Sequence, residues 1–350
     1  MNRTPLNALH RNLDARMVNF AGWEMPLHYP TGINQEHLVV RTDVGIFDVS
    51  HMGEFRVLGD RATEFLQYAT LNDPDRLVVG RGQYSMLPND HGGLVDDLYI
   101  YRDGKAQYQI VSNAANSERV RRQLKGQAEA FDCHVVDETP IWALLALQGP
   151  GSALLLDRHL NEDLTRLRKN QFVDTVLSGC PIRLARTGYT GEDGFEIFCK
   201  PKEAKALWNL LTKAGAVPCG LGARETLRLE AGFPLYGREF TEETNPLCSG
   251  YRWVVKDKPF YGREAMWNPK CRRMLVGLKL RQRGIARHGY RVLDGEREIG
   301  KITSGTISPL TREGIALGWV DRKRADEGTL VGIEIRGRSL PAIVTKPPFY

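Results

Sequence analysis

From about Tyr261 to its end the chain breaks into short β-like runs separated by glycines, and no other feature limits its possible folds as tightly. The runs are Leu275 to Leu280, Tyr290 to Leu293, Ile315 to Val320, Val331 to Ile335 and Ala342 to Thr345. Each is too short for a stable helix and suits a pleated, half-buried surface. Strands repeated in this way build a small barrel or a jelly roll. Asp294-Gly295 favours a hairpin within this stretch. The same stretch has phosphate-loop spacing through Gly295, Gly300 and Lys301. Ile302 stands where a magnesium-binding Ser or Thr is required, so nucleotide binding is rejected there.

Upstream the pattern differs. To about residue 52 short apolar segments mix with helix-like stretches, and from Gly53 to Glu138 the chain reads as hairpins around one or two helices. The clearest hairpin joins Leu98-Tyr99-Ile100-Tyr101 to Tyr108-Gln109-Ile110-Val111 through Asp103-Gly104, with its register open. Its open end collects Asp97 and Asn113. After Asn116, Val120, Leu124, Ala128 and Phe131 recur at helical spacing. From Trp142 to Gly232 strand and helix signals alternate, including Ala204, Leu207, Trp208 and Leu211 on one helical face, with Gly215 as a stop. Gly220-Leu221-Gly222-Ala223-Arg224-Glu225 lacks the third glycine of a dinucleotide fingerprint and reads as a helix start.

With 350 residues, 42% hydrophobic and 26% charged, the chain can form about two to three domains of an ordinary globular protein. No apolar run reaches the length of a membrane span, and the first residues resemble neither a signal peptide nor a transit helix, so a cytoplasmic address is expected. Cys133, Cys180, Cys199, Cys219, Cys248 and Cys271 form no Cys-x-x-Cys pair and have no matching His spacing. Neither a zinc site nor a disulfide framework is expected, and all six read as reduced thiols. The net charge of +6 favours an acidic partner. Nucleic-acid binding would rest on that charge alone, without aromatic platforms on a basic strand, and is set aside.

The best handle on function is the segment from Arg186 to Ile197, with glycines at Gly188, Gly191 and Gly194 that let the backbone lie close to a ligand. It opens on Tyr189 and delivers Glu196 onto a following strand. Such a loop suits a flat heterocycle: the aromatic stacks and the carboxylate takes two adjacent N–H groups. A mobile surface loop is the plainer alternative. Asp96 and Asp97 look like an acid–base pair, yet neighbours on a strand point to opposite faces, so only one can serve a given site. Asp48, Ser50 and His51 are packed too closely for a triad relay, and His51 reads as a satisfied structural histidine.

Several segments stand together in order: Asn19 to Tyr29, Phe47-Asp48-Val49-Ser50-His51-Met52-Gly53-Glu54, Gly92-Gly93-Leu94-Val95-Asp96-Asp97-Leu98, the Arg186 to Ile197 loop, Gly220 to Gly232, and Lys346-Pro347-Pro348-Phe349-Tyr350. They closely resemble the glycine cleavage T-protein, or aminomethyltransferase, family over nearly the whole length. The resemblance implies an α+β fold of three domains in a cloverleaf around a central folate channel, with antiparallel sheets, helices and a C-terminal jelly-roll or β-barrel-like domain. The first domain would be discontinuous, residues 1–52 plus 139–233, with 53–138 inserted as the second and 234–350 as the third.

The implied reaction takes the aminomethyl group from the lipoyl arm of the H-protein, releases ammonia and passes the one-carbon unit to tetrahydrofolate as 5,10-methylenetetrahydrofolate. Tetrahydrofolate would be a co-substrate, with no metal and no nucleotide, and the P- and L-proteins would be functional partners. By motif, Asp97 matches the family's catalytic acid, Glu196 its pterin-binding glutamate and Arg224 its folate-contacting arginine. Tyr84, Asn113, Tyr189 and Met52 fall in segments that line the folate site. The chemistry is consistent, because closing the methylene bridge removes a proton from N10, which a placed carboxylate can accept.

The chain departs from the usual pattern at Asp14, where glycine is common, at Asn19, where aspartate is common, and at Cys248-Ser249-Gly250-Tyr251-Arg252-Trp253, in place of Glu-Ala-Gly-Leu-x-Trp. Relatives that assist iron–sulfur assembly carry a Lys-Gly-Cys-Tyr-x-Gly-Gln-Glu segment. The corresponding region here, Phe260 to Ala265, has no such cysteine. Demethylating dehydrogenases that share the folate module need a flavin domain this chain cannot accommodate.

Overall fold

A computed structural model describes residues 1–160 and 162–350. The fold is α+β with antiparallel sheets, as expected, and its contacts divide the chain into two compact units. One comprises Met1–Ala69, Asp73–Ser85 and Leu98–Glu225, and the other Thr70–Asn72, Met86–Asp97 and Thr226–Tyr350. No described helix is long and apolar enough to cross a membrane.

The first unit holds a six-stranded sheet in the order Phe172–Leu177, Cys180–Ala185, Gly194–Cys199, Ala143–Gln148, Gly45–Asp48 and Val217–Pro218. Only the last pairing is parallel. Ala143–Gln148 is buried at every position, as a central strand must be when it is covered on both faces. The helix Pro201–Lys213 buries Ala204, Leu207, Trp208 and Leu211, the four residues that its sequence period selects. These pack with Leu145, Leu147, Phe195 and Ile197 in one apolar core.

The second sheet runs Arg81–Pro88, Leu94–Gly104, Gln107–Ser112, Gly53–Leu58 and His134–Asp137. The hairpin expected at its centre is present, with Leu98 opposite Ser112 and Tyr101 opposite Gln109. Its tip is displaced, however: the register shifts after Arg102, Gly104 pairs with Gln107, and the turn falls on Lys105-Ala106. Asp103 is held back by ion pairs to Arg56 and to Arg183 Nη1 at 2.6 Å. The helix Ser117–Ala128 buries Val120, Leu124 and Ala128, as its spacing predicts.

The second unit contains a closed six-stranded barrel, Arg273–Leu280, Gly314–Asp321, Arg297–Ile307, Arg291–Asp294, Leu330–Ile335 and Arg338–Thr345 in order of pairing. Five of these strands coincide with the runs read from sequence. The sixth, Arg297–Ile307, was visible only as the partner implied by the Asp294-Gly295 turn, where Asp294 indeed pairs with Arg297. Its glycines and the register shift between Ile302 and Ser304 break the alternation that marks a strand. Arg228 is fully buried and donates to Glu239 at 2.9 Å, to the Phe233 carbonyl at 3.0 Å and to Ser304 at 2.7 Å, joining helix end, loop and barrel.

The reading of six reduced cysteines needs correction. Cys248 and Cys271 form a disulfide, with Cα atoms 5.4 Å apart, while the other four cysteines are free. The pair is separated by 23 residues, and only the fold brings the two thiols together. Asp14 has φ of 55°, the left-handed conformation that a glycine would take without strain and that aspartate tolerates better than most residues.

Candidate functional site

In the first unit Glu196 sits on the strand Gly194–Cys199, directly between Ala185 on one neighbouring strand and Ala146 on the other. Two methyl side chains therefore flank a long carboxylate on this face of the sheet. One carboxylate oxygen accepts from Thr187 Oγ1 at 2.5 Å and, more weakly, from the Tyr101 hydroxyl at 3.4 Å. Tyr101 and Thr187 are also bonded to each other at 3.1 Å. The Tyr101 ring stands edge to face with Phe172 at 5.6 Å and Phe198 at 5.7 Å. Burial, followed by the Glu196 charge, holds its phenol well above the ordinary value, so it remains a donor at neutral pH.

Gly188 and Gly194 of the Arg186 to Ile197 loop pack directly against Gln148. A Cβ at Gly188 would lie 2.0 Å from the Gln148 amide oxygen. That amide ties the loop down by donating to the Thr187 carbonyl at 3.1 Å and accepting from Thr190 Oγ1 at 2.8 Å. Arg41 adds a bond to the Thr190 carbonyl at 2.8 Å and an ion pair to Glu192 at 2.9 Å. The loop is therefore a fixed support for Glu196, not a mobile surface turn.

Arg224 lies on the helix Leu221–Ala231, which begins where the sequence placed it. The approach to this helix is fixed by buried Glu36, whose carboxylate accepts from the backbone N–H groups of Tyr29 at 2.6 Å and Gly220 at 2.8 Å. Burial lowers the Arg224 guanidinium pKa, and Glu196 opposes that shift. The guanidinium carbon is 4.9 Å from the centroid of Tyr189, and Nη1 is buried with no hydrogen-bond partner among the described residues. A guanidinium stays charged under such conditions, so its buried donor calls for an acceptor from outside the chain.

Other buried polar atoms in this unit share that condition: His51 Nδ1, Glu54 Oε1 and the Tyr99 hydroxyl. Each is electrostatically coupled to Glu196 or Arg224. Burial and then Glu196 push the Tyr99 phenol up, and Glu196 adds to the burial that holds the Glu54 carboxyl well above the usual range. His51 is pushed down to about 4, by burial first and against the pull of Asp48, with Arg224 adding to the depression. Orphaned buried groups are rare in folded proteins, and a cluster of them marks a place for water or a ligand. The expectation that His51 is a satisfied structural histidine therefore fails. Asp48 instead accepts from Thr4 at 2.6 Å and the Ser50 backbone at 3.0 Å and lies 2.9 Å from His10.

The remaining expected residues lie on segments next in sequence to members of this group or to their neighbours. Tyr84, half-buried, follows Gly82 by two positions on one strand; a Cβ at Gly82 would lie 2.4 Å from the Tyr99 ring and 2.7 Å from that of Tyr101. Asn113 follows Gln109 and Val111 at two-residue steps, just past the strand Gln107–Ser112. Met52 directly follows His51 and closes a turn on the Val49 carbonyl at 3.1 Å. Sequence reasoning missed Thr187, Tyr101, Tyr99, His51 and Glu54 as members of the group. Thr187 lay inside the singled-out loop, while His51 and Glu54 flank Met52 and Gly53.

Asp97 is half-buried on Leu94–Gly104, and Asp96 is fully buried beside it. Alternation puts them on opposite faces, with Asp97, Tyr99 and Tyr101 in phase. In the second unit the Tyr251 phenol is held above its ordinary value by burial first and then by the Asp97 charge. Tyr251 donates to the Gly232 carbonyl at 3.2 Å and stands perpendicular to Phe240 at 5.6 Å. It belongs to the segment Cys248 to Trp253, where the chain departs from the common pattern.

Comparison with known proteins identifies the family. Residues 6–258 match the GCVT N-terminal domain, and residues 273–350 match the glycine cleavage T-protein C-terminal barrel domain. An aminomethyltransferase of Thermus thermophilus is 54% identical over 350 residues, covering 100% of this chain and 99% of the relative. One from Deinococcus deserti is 50% identical, covering 100% and 97%. The crystal structure of the glycine cleavage system aminomethyltransferase T from Bartonella henselae superposes with a TM-score of 0.93 at 36% identity, covering 100% of this chain and 98% of that one. On this footing the chain belongs to the glycine cleavage T-protein family, that of the aminomethyltransferases.

Proposed function

We propose that this aminomethyltransferase takes the aminomethyl group from the lipoyl arm of an H-protein, releases ammonia and gives 5,10-methylenetetrahydrofolate, working with the P- and L-proteins of the glycine cleavage system. The observation that carries the folate reading is the group of buried, unpartnered polar atoms on Arg224, Glu54 and Tyr99, each electrostatically coupled to Glu196, with His51 coupled in turn to Arg224. A pterin offers adjacent N–H groups for Glu196 and acceptors for a guanidinium, and its flat ring suits the aromatic surface of Tyr84, Tyr99 and Tyr189.

Tetrahydrofolate supplies the nitrogens that accept the one-carbon unit. Glu196 orients it by pairing with N–H donors, while Thr187 and Tyr101 keep the carboxylate in one rotamer. Arg224 provides fixed donors in a buried setting where each bond is strengthened by the low local dielectric. Asp97, half-buried on its strand, accepts the proton that N10 must lose. Tyr84, Asn113 and Met52 line the folate site.

The test is ammonia release from aminomethylated H-protein with and without tetrahydrofolate. The expected result is rapid, folate-dependent release. Release that ignores folate, together with no folate binding by calorimetry, would overturn the proposal.

A further inference from the structure

We infer that His51 is a further positioning residue of this site, whose buried Nδ1–H donates to an acceptor of the bound ligand. The inference rests on the folate reading above and extends it to a residue that sequence patterns assign only a structural role.

His51 lies in the turn closed by the Met52 N–H on the Val49 carbonyl at 3.1 Å. That turn joins the strand Gly45–Asp48 of one sheet to Gly53–Leu58 of the other, so both sheets of the unit fix its backbone. Its ring is 4% exposed and packs edge-on against Phe20, with centroids 5.5 Å apart and planes at 87°. A histidine held so firmly normally has both nitrogens accounted for. Here Nδ1 is buried with no partner among the described residues.

The obvious partner is already engaged. Asp48 takes Thr4 Oγ1, the Ser50 backbone and the His10 ring, so its carboxylate is spent on the opposite side of the turn. Arg224 is the other charged group that His51 senses, and its Nη1 is likewise buried without a partner. Two buried, unpartnered nitrogens belonging to electrostatically coupled side chains, one from a turn and one from a helix, are what the acceptors of a bound ligand would satisfy. A guanidinium can only donate, so the group it receives is an acceptor, and the imidazole joins it as an N–H donor. The neutral ring adds that donor without placing a second full positive charge beside Arg224.

The test uses the full chain with 15N-labelled histidine side chains and tetrahydrofolate as the probe. Saturation with tetrahydrofolate should move the His51 Nδ1 resonance and leave it protonated. His51→Phe, which fills the volume without a donor, should raise KM for tetrahydrofolate roughly tenfold, with a smaller change in kcat. His51→Asn, whose amide N–H can take the place of Nδ1–H, should recover most of the affinity; a purely structural role would not discriminate in this way. An Nδ1 resonance unmoved at saturation overturns the inference even if the Phe variant fails to fold, and so does a folded Phe variant with unchanged KM. If the parent itself binds no tetrahydrofolate by calorimetry, the proposed function falls and the inference with it. Binding by the parent with no response at His51 removes the inference alone.

Discussion

The guanidinium of Arg224 stacks over the ring of Tyr189 at 4.9 Å, and this contact ties the glycine-rich loop to the helix Leu221–Ala231. The loop is already anchored by Gln148 and the helix by Glu36, so two independently fixed elements meet at a cation and an aromatic face. The stack orients a planar fork whose remaining donors stay in one plane, which a lysine at the same place could not reproduce.

Arg224→Lys should therefore keep the charge and lose the geometry. Tetrahydrofolate affinity should drop by about 1.5–3 kcal/mol, the scale of hydrogen bonds to a charged group. Calorimetric titration of the folded variant decides this. An affinity equal to the parent's would show that only charge matters at this position.

Glu196→Gln replaces an acceptor of two N–H groups by a side chain that offers one acceptor and presents its own N–H₂ to the ligand. Binding of tetrahydrofolate should weaken by about 1.5–3 kcal/mol. Thr187→Val should have a smaller effect, because it frees the Glu196 rotamer without removing the carboxylate. Unchanged affinity in the Gln variant would take Glu196 out of the site.

His51 makes the ligand-free protein sensitive to acid in a definite window. Its folded pKa of about 4 lies below the value near 6.5 expected when unfolded. Above that upper value neither state binds a proton and nothing is lost. As pH falls from about 6.5 to about 4 only the unfolded state takes up the proton, so stability declines by about 3 kcal/mol in total. His51→Gln lacks this contribution. The parent's unfolding free energy minus the variant's, followed by urea titration across this range, should fall toward acid; a constant difference would mean that burial does not keep the ring neutral.

Local features of the fold were legible where the signal is local. The spacing of Val120, Leu124 and Ala128, and of Ala204, Leu207, Trp208 and Leu211, marks helix faces because neighbours on a helix lie three and four residues apart. The hairpin was legible too, but not its tip, because Asp103 is drawn into ion pairs with Arg56 and Arg183, each distant in sequence. Arg297–Ile307 escaped notice because charges, Gly300 and Gly305 interrupt its apolar pattern, although Ile299 and Ile302 fill the barrel.

The candidate site divides in the same way. Glu196 follows a glycine-rich loop onto a strand and Arg224 stands in the first turn of a helix, in segments whose residue types suggest chemistry. Ala146 and Ala185 face Glu196 across two strand pairings, and a sequence does not display that register. The orphaned nitrogen of His51 was equally hidden, since a satisfied and an unsatisfied histidine look alike until Asp48 is seen to bond Thr4 and His10.

The Cys248–Cys271 bond encloses the segment that carries Tyr251 and Trp253 and closes a loop with a sequence separation of 23 residues. Closing a loop of that size stabilises a fold by about 3 kcal/mol through the unfolded chain. Treatment with a dithiol reductant should lower the melting temperature of the parent, and Cys248→Ser/Cys271→Ser should melt at the reduced temperature with or without reductant. Equal melting temperatures for oxidised and reduced parent would show that the bond contributes nothing measurable.

Asp96 and Asp97 offer the sharpest separation of roles. They are adjacent on one strand, so they face opposite sides; Asp96 is fully buried while Asp97 is half-exposed and in phase with Tyr99 and Tyr101. Asp97→Asn keeps the shape and removes the base. Turnover should fall by roughly two to four orders of magnitude, the span typical of a general acid–base group, with tetrahydrofolate affinity held within a few fold. Asp96→Asn alters a buried carboxyl group, so its cost should appear as a lower melting temperature, with turnover per folded molecule much less affected. Single-turnover ammonia release and thermal unfolding, measured on both variants, separate the two outcomes. If Asp96→Asn is folded and is the slow variant, the proton-accepting role belongs to the other face of the strand. If neither variant is slowed, the proton leaves N10 by a route that needs no aspartate, and the role proposed for Asp97 is lost.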